Sequence, residues 1–420
     1  MLWRTIFLES IRSLVYYRRR SIITVISLAW GVASFLILMS YGSGFETALT
    51  TAFRAVGPDL ICMWNGQTSA QAGGMRAGRR IKMRLDDVET IRETVPAVAA
   101  ISPEMQLRNR KVIYGTTEKD YSVRGVRPEY QQIRNMQLSE GRWLNQLDSN
   151  QRHRVAVIGA IAAKELFRNA PAVGQEVSIG GHRFEIVGVL TPKVQISNYN
   201  RPDNYCLFVP YETTGLYKDL QYPDMMVWMS RTPKIRDEAI RQVRATLSTA
   251  HRFLPTDEKA VEILAFSQFA GMIDGMSLTL RGLLAFVGVL TLGIGGVGLT
   301  NIMLASVMER TREIGVMRAL GGRRQTVLLQ FLLEELLIVA LGGAVGLIIS
   351  LIAIQTISSL PFLGGIFEDL GDDYGRLQLH LSPVALAVST GILFVVGLVA
   401  GLIPAVRAAR LDPVKALQYE

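Results

Sequence analysis

Two acids and three arginines, Glu309, Arg310, Arg312, Glu313 and Arg318, alternate along a short stretch between two long apolar runs. The stretch holds no nucleophile; what such charges can do at a water interface is form ion pairs with another protein. Other chemistry is scarce. His153, His182, His251 and His380 stand singly, and no His-x-x-x-His or Cys-x-x-Cys spacing could seat a metal. No Gly-x-Ser-x-Gly elbow occurs, and the acid pairs Asp86-Asp87 and Asp372-Asp373 read as a helix start and a solvated loop. Gly293-Ile294-Gly295-Gly296-Val297-Gly298 matches G-x-G-x-x-G. A dinucleotide site needs an aqueous βαβ unit around that pattern, whereas here the flanks are apolar enough to lie in a bilayer. A G-x-x-x-x-G-K-[ST] loop is also missing. The expectation is a chain with no catalytic residue, no metal and no bound cofactor of its own.

The elements that position the charged stretch are membrane spans. Apolar residues make up 49% of the chain and charged ones 19%, with a mean hydropathy of +0.25. A few spans joined to a large aqueous domain satisfy both figures. Four segments, 21–43, 279–307, 326–354 and 383–404, meet the ~20 residues that ~30 Å of hydrocarbon requires. Ahead of them, Leu2, Trp3, Ile6, Phe7, Ile11, Leu14 and Val15 recur at helical spacing, so 1–20 is expected to form an amphipathic helix against membrane lipid. The first apolar run exceeds a signal peptide's h-region and reads as an uncleaved anchor.

Basic residues cluster before the first span, between the second and third, and after the fourth, while Glu368, Asp369, Asp372 and Asp373 dominate the loop 355–382. The positive-inside rule then puts both termini, the tail 405–420 and a coupling elbow, 308–325, in the cytoplasm, with 44–278 outside. These flanking clusters also absorb most of the net charge of +9, so no nucleic acid partner is expected.

The expected fold class is an integral membrane α-helical protein with four transmembrane helices and a large α+β extracytoplasmic domain between the first and second. Inside 44–278, two strand-helix-strand sets, at 59–107 and 225–265, enclose a β-rich insertion at about 110–217. That insertion includes a strand at 154–159, a helix at 160–167 and a hairpin at 177–190 turning on Gly180-Gly181. One domain fits this order better than two independent ones. Cys62 and Cys206 read as buried thiols in short apolar strands, though an oxidising compartment would permit a bond between them.

Within the spans, Gly342-x-x-x-Gly346 and Gly397-x-x-x-Gly401 suit close helix packing, and Pro404 is expected to kink or end the last helix. The span centres carry no acid, which argues against a proton relay.

Glu309-Arg310-Thr311-Arg312-Glu313-Ile314-Gly315-Val316-Met317-Arg318-Ala319-Leu320-Gly321 resembles the segment joining the second and third spans of MacB-type (FtsX/MacB-like) ABC transporter permeases. Pro404-Ala405-Val406-Arg407-Ala408-Ala409-Arg410-Leu411-Asp412-Pro413 resembles that family's C-terminus. Gly141-Arg142-Trp143, Val155-Ala156-Val157-Ile158-Gly159 and Phe184-Glu185-Ile186-Val187-Gly188-Val189-Leu190 are similar to its periplasmic core.

The resemblance implies a bacterial inner-membrane permease subunit, paired with a second copy or a paralogue, whose elbow docks on a cytoplasmic ABC ATPase. ATP and Mg would be bound by that separate ATPase, because this chain begins almost directly with the interfacial helix. Glu309, Arg310, Arg312, Glu313 and Arg318 would dock the ATPase or brace the elbow. Residues 266–280 would continue the second span outward as a stalk, converting closure of the ATPase into movement outside, called mechanotransmission. Efflux or extraction of a substrate is the leading expectation, with a periplasmic adaptor as a further partner. An FtsX-like subunit that signals to an external enzyme is the alternative, and a membrane-anchored enzyme is a third reading with no residue in its favour.

Overall fold

The computed structural model describes residues 10, 12, 14–54, 56–57, 59–168, 170–193, 201–357, 379 and 381–411. Most of the expected interfacial helix, His380, the acids of the loop 355–382 and the tail beyond Leu411 lie outside them. In chain order the main elements are α1 (Arg18–Arg54), β1 (Leu60–Asn65), α2 (Leu85–Thr94), β2 (Val98–Tyr114), β3 (Thr117–Val126), β4 (Leu138–Gly141), β5 (Val155–Ile158), α3 (Ala160–Phe167), β6 (Glu176–Ile179), β7 (His182–Leu190), β8 (Cys206–Pro210), β9 (Met225–Ser230), α4 (Arg236–His251), β10 (Val261–Ala265), α5 (Ser267–Glu309), α6 (Thr311–Ala319), α7 (Arg324–Ile357) and α8 (Pro383–Ala409). The described residues up to Ala48 and from Gly275 onward form one compact unit, and Leu49–Asp274 form another.

In the first unit, α1, α5, α7 and α8 are each long and apolar enough to cross a membrane. Leu28, Val32 and Leu36 of α1, Leu292 and Leu299 of α5, Val339 of α7 and Leu393 of α8 share one core. Their outer faces are equally apolar: Ile22, Ile26, Trp30, Ile294, Ile352 and Val399 are exposed. Helices that are apolar all round need lipid on the outside.

Ion pairs clasp α1 to α5 at two levels, Arg20 with Glu309 and Glu46 with Arg281. Roughly 39 Å of helix at 1.5 Å per residue separates Arg20 from Glu46, close to the thickness of a bilayer with its headgroup layers. Charged pairs at that spacing frame an apolar slab between them. At 43 residues, α5 runs roughly 65 Å, about twice what crossing demands.

Pro404 does not end α8, which continues to Ala409. The proline ring deprives the Ala400 carbonyl of its i+4 donor, and the Thr300 hydroxyl donates to that oxygen instead, at 3.1 Å. A neighbouring hydroxyl restoring a freed carbonyl is how a membrane helix tolerates proline.

The second unit is built on one mixed sheet of order β10-β1-β9-β2-β3-β8-β5-β7-β4, with β6 bridging β2 and β7. The two strand-helix-strand sets interdigitate: β9, from the second, lies between β1 and β2 of the first, and β1 lies between β9 and β10. A single sheet therefore joins both sets and the insertion, rather than two domains. The β10-β1-β9-β2 half is a split βαβ arrangement.

Ile61, Met63, Met226 and Trp228 face α2 and α4, while Leu60, Cys62, Met225 and Val227 face the opposite core. Burial on both faces explains why β1 and β9 are apolar runs without alternation. Cys62 and Cys206 are free, buried thiols of that opposite core. Burial pushes the Cys206 thiol up to about 11 and raises Cys62 further.

Candidate coupling site

The helix break at Arg310 shapes the elbow. α5 ends at Glu309, Arg310 adopts φ −95° and ψ 11°, and α6 starts at Thr311. At the other end, Gly321 takes φ +94°. Gly322 N–H donates to the Met317 carbonyl and Gly321 N–H to Arg318, both at 3.1 Å. This is a Schellman termination, which needs glycine at the left-handed position.

The five charged residues fall into two groups. Arg310 is only 6% exposed: its Nη1 lies 3.1 Å from Glu334 Oε2 of α7, and its guanidinium stacks 4.2 Å from the Tyr17 ring centroid. Glu309 accepts from Arg20 Nη1 at 2.8 Å. Arg318 donates to the Ala409 carbonyl at 2.6 Å, a cation at the C-terminal end of α8, where the helix dipole favours it. Arg310, Glu309 and Arg318 thus root the elbow in α7, α1 and α8. Arg312 and Glu313 are exposed.

Three residues that charge alone does not single out share the surface of Arg312 and Glu313: Val316, Met317 and Leu320 are exposed, Leu320 by 85%. The signal for them is helical spacing, with 312, 316 and 320 on one stripe and 313 and 317 on the next. Ile314 and Gly315, on the opposite side, are buried. The elbow helix therefore presents an apolar patch rimmed by charge, a composition that suits a protein interface.

Beneath the elbow the four glycines sit where helices meet. A Cβ on Gly342 would lie 2.8 Å from Leu28 Cβ, on Gly346 2.7 Å from the Ala29 carbonyl oxygen, and on Gly397 2.7 Å from Val339 Cγ2. A Cβ on Gly401 would coincide with the carboxyl group of Glu335. The acids Glu334 and Glu335, inside the expected third span, are both buried. Glu334 faces Arg310, and neither oxygen of Glu335 has a hydrogen-bond partner among the described residues. Their signal in the sequence is two adjacent acids in an apolar run, away from the span centre.

Among the described residues, no group of three His, Cys, Asp or Glu side chains is placed to hold a metal.

These elements define a four-span helical membrane protein with an α+β domain between its first two spans. A profile described as MacB-like periplasmic core domain matches residues 21–246, and one described as FtsX-like permease C-terminal matches 285–413. The chain belongs to this MacB/FtsX-like family of ABC permeases.

It is 28% identical to the macrolide export ATP-binding/permease protein MacB of Bdellovibrio bacteriovorus, over 98% of this chain and 61% of that protein. It is 26% identical to the ABC transporter permease YknZ of Bacillus subtilis, over 98% of this chain and 99% of that one. A solved periplasmic region of MacB from Actinobacillus actinomycetemcomitans aligns with TM-score 0.41 and 18% identity, covering 53% of this chain and 95% of that one. The chain spans about three fifths of the length of the MacB relatives it matches.

Proposed function

We propose that this chain is the membrane subunit of an ABC transporter, with both termini and α6 on the cytoplasmic side and ATP hydrolysed by a separate ATPase that docks on α6. What carries the reading is the open face of Arg312, Glu313, Val316, Met317 and Leu320 on an elbow whose other charges, Glu309, Arg310 and Arg318, are anchored to three spans. A push on such an elbow passes into α5, which is about twice as long as crossing requires, and so outward by mechanotransmission. ATP then shifts the population between arrangements of the paired subunits, driving extraction or efflux of a substrate on the external side.

The test uses the purified chain with its ATPase in nanodiscs. Arg312→Glu with Glu313→Arg, and separately Leu320→Asp, should abolish stimulation of ATP hydrolysis while membrane insertion and unfolding temperature stay unchanged. Full stimulation in both variants would rule out docking through α6.

A further inference from the structure

A cleft of about 530 Å³ opens in the Leu49–Asp274 unit, lined by Trp64, Leu107, Arg108, Arg110, Lys218 and Asp224. It lies where β2 runs past the start of β9, since Met225, the first residue of β9, stands opposite Glu104. Leu107 pairs with Val123, but the next pair is Arg110 with Tyr121, because a bulge intervenes with Asn109 at φ +51°. A regular strand would have set Asn109 opposite Tyr121. The bulge therefore moves Arg110 into the row of Met105, Leu107, Val112 and Tyr114, whose other members all pack in one core. Bulges that re-aim a side chain in this way recur beside binding sites.

An arginine in a core row needs a counter-charge. Arg110 instead stacks on Tyr217 at 5.2 Å, and its Nε is buried without a hydrogen-bond partner among the described residues. Arg108 reaches the Gln106 amide oxygen at 3.4 Å. Lys218 is already neutralised by Asp224 at 2.9 Å, so the surplus positive charge of the cleft belongs to the two guanidinia. Trp64 and Leu107 supply apolar wall, and the volume falls in the range of small-molecule sites.

We propose that this cleft binds an amphiphilic anion, its carboxylate or phosphate held by Arg110 and Arg108 and its apolar body against Leu107 and Trp64. Guanidinium groups suit either anion through paired N–H donors. The site stands apart from docking on α6, because binding is read without any ATPase.

Isothermal titration of the full chain in phosphatidylcholine nanodiscs, with 1-naphthyl phosphate as probe, tests it. One molecule should bind per chain, Arg110→Gln should weaken binding about tenfold or more, the worth of one charge-assisted bond, and Arg110→Lys should lose less. 1-Naphthol and inorganic phosphate should each bind more weakly than the probe. Displacement by dihexanoyl phosphatidic acid assigns the anion to a lipid, and displacement by 1-naphthoate alone assigns it to a soluble carboxylate. If Arg110→Gln does not fold, Arg108→Gln reads the same loss at an exposed position. No saturable binding to the unaltered chain, or affinity unchanged in the folded variants, would overturn the site; equal affinity for inorganic phosphate would overturn its amphiphilic character.

Discussion

The Thr300 hydroxyl donates to the Ala400 carbonyl, the one acceptor that Pro404 leaves without an N–H along α8. Its single proton is shared with the Gly296 carbonyl of its own helix, also at 3.1 Å. Thr300→Val should therefore destabilise the bundle by about 0.5–1.5 kcal/mol, the range of interhelical hydrogen bonds in membranes. Restoring the N–H with Pro404→Ala should make the same substitution cheaper. A double-mutant cycle on unfolding in mixed micelles checks this, and strictly additive effects would show that the two residues do not act on one carbonyl.

Arg310 and Glu334 form a buried pair, so removing one partner strands the other. Arg310→Ala should cost about 3–5 kcal/mol, whereas replacing both with Met should cost far less. Arg312→Ala, at an exposed site, should stay within about 0.5 kcal/mol. Equal unfolding midpoints for Arg310→Ala and Arg312→Ala would mean that the pair contributes nothing to the root of the elbow.

Spans and strands were legible because both announce themselves by local apolar pattern. The runs around Leu292 and Leu393, and the strand from Leu60 to Asn65, are visible without tertiary information. What local pattern cannot state is pairing across distance. Nothing near β9 reveals that it inserts between β1 and β2, or that Asn109 shifts Arg110 onto a core row. At the elbow, charge drew attention to all five residues, but a buried arginine and an exposed one look alike in sequence. That Arg310 turns inward to Glu334 is visible only in the fold, and Val316, Met317 and Leu320 are hidden in sequence by being apolar next to apolar spans.

Gly401 gives up its side-chain volume to the Glu335 carboxyl, which sits 1% exposed against it. Gly401→Ala should cost about 1–3 kcal/mol through overpacking, and Glu335→Ala in the same chain should recover much of that. Because Glu335 has no hydrogen-bond partner among the described residues, Glu335→Met alone should be neutral or stabilising, the reverse of an ordinary core change. Chemical unfolding of the three variants decides it; a large loss in Glu335→Met would reveal that the carboxyl has a role that packing does not supply.

Lys193 sets a pH dependence in the external unit. Burial, and beyond it Arg134 and Arg124, depress the ammonium from the ordinary 10.5 to about 8, against the pull of Asp203 at 3.7 Å. For Asp203, burial is outweighed by Arg134, Arg124 and Lys193, which hold its carboxyl well below the usual range. A base with a depressed folded pKa carries its folding penalty in full below that pKa, where both states are protonated. Between about 8 and 10.5 the unfolded chain binds more protons than the folded one, so stability contributed by this group rises with pH. Full relief amounts to something on the order of 3 kcal/mol. Lys193→Met removes the titration, so the difference in stability between the unaltered chain and this variant should climb through that window. A difference that stays level from pH 7 to above the ordinary lysine value would show that the ammonium is not depressed and that the Asp203 attraction fully offsets burial; one that falls would show that the attraction wins.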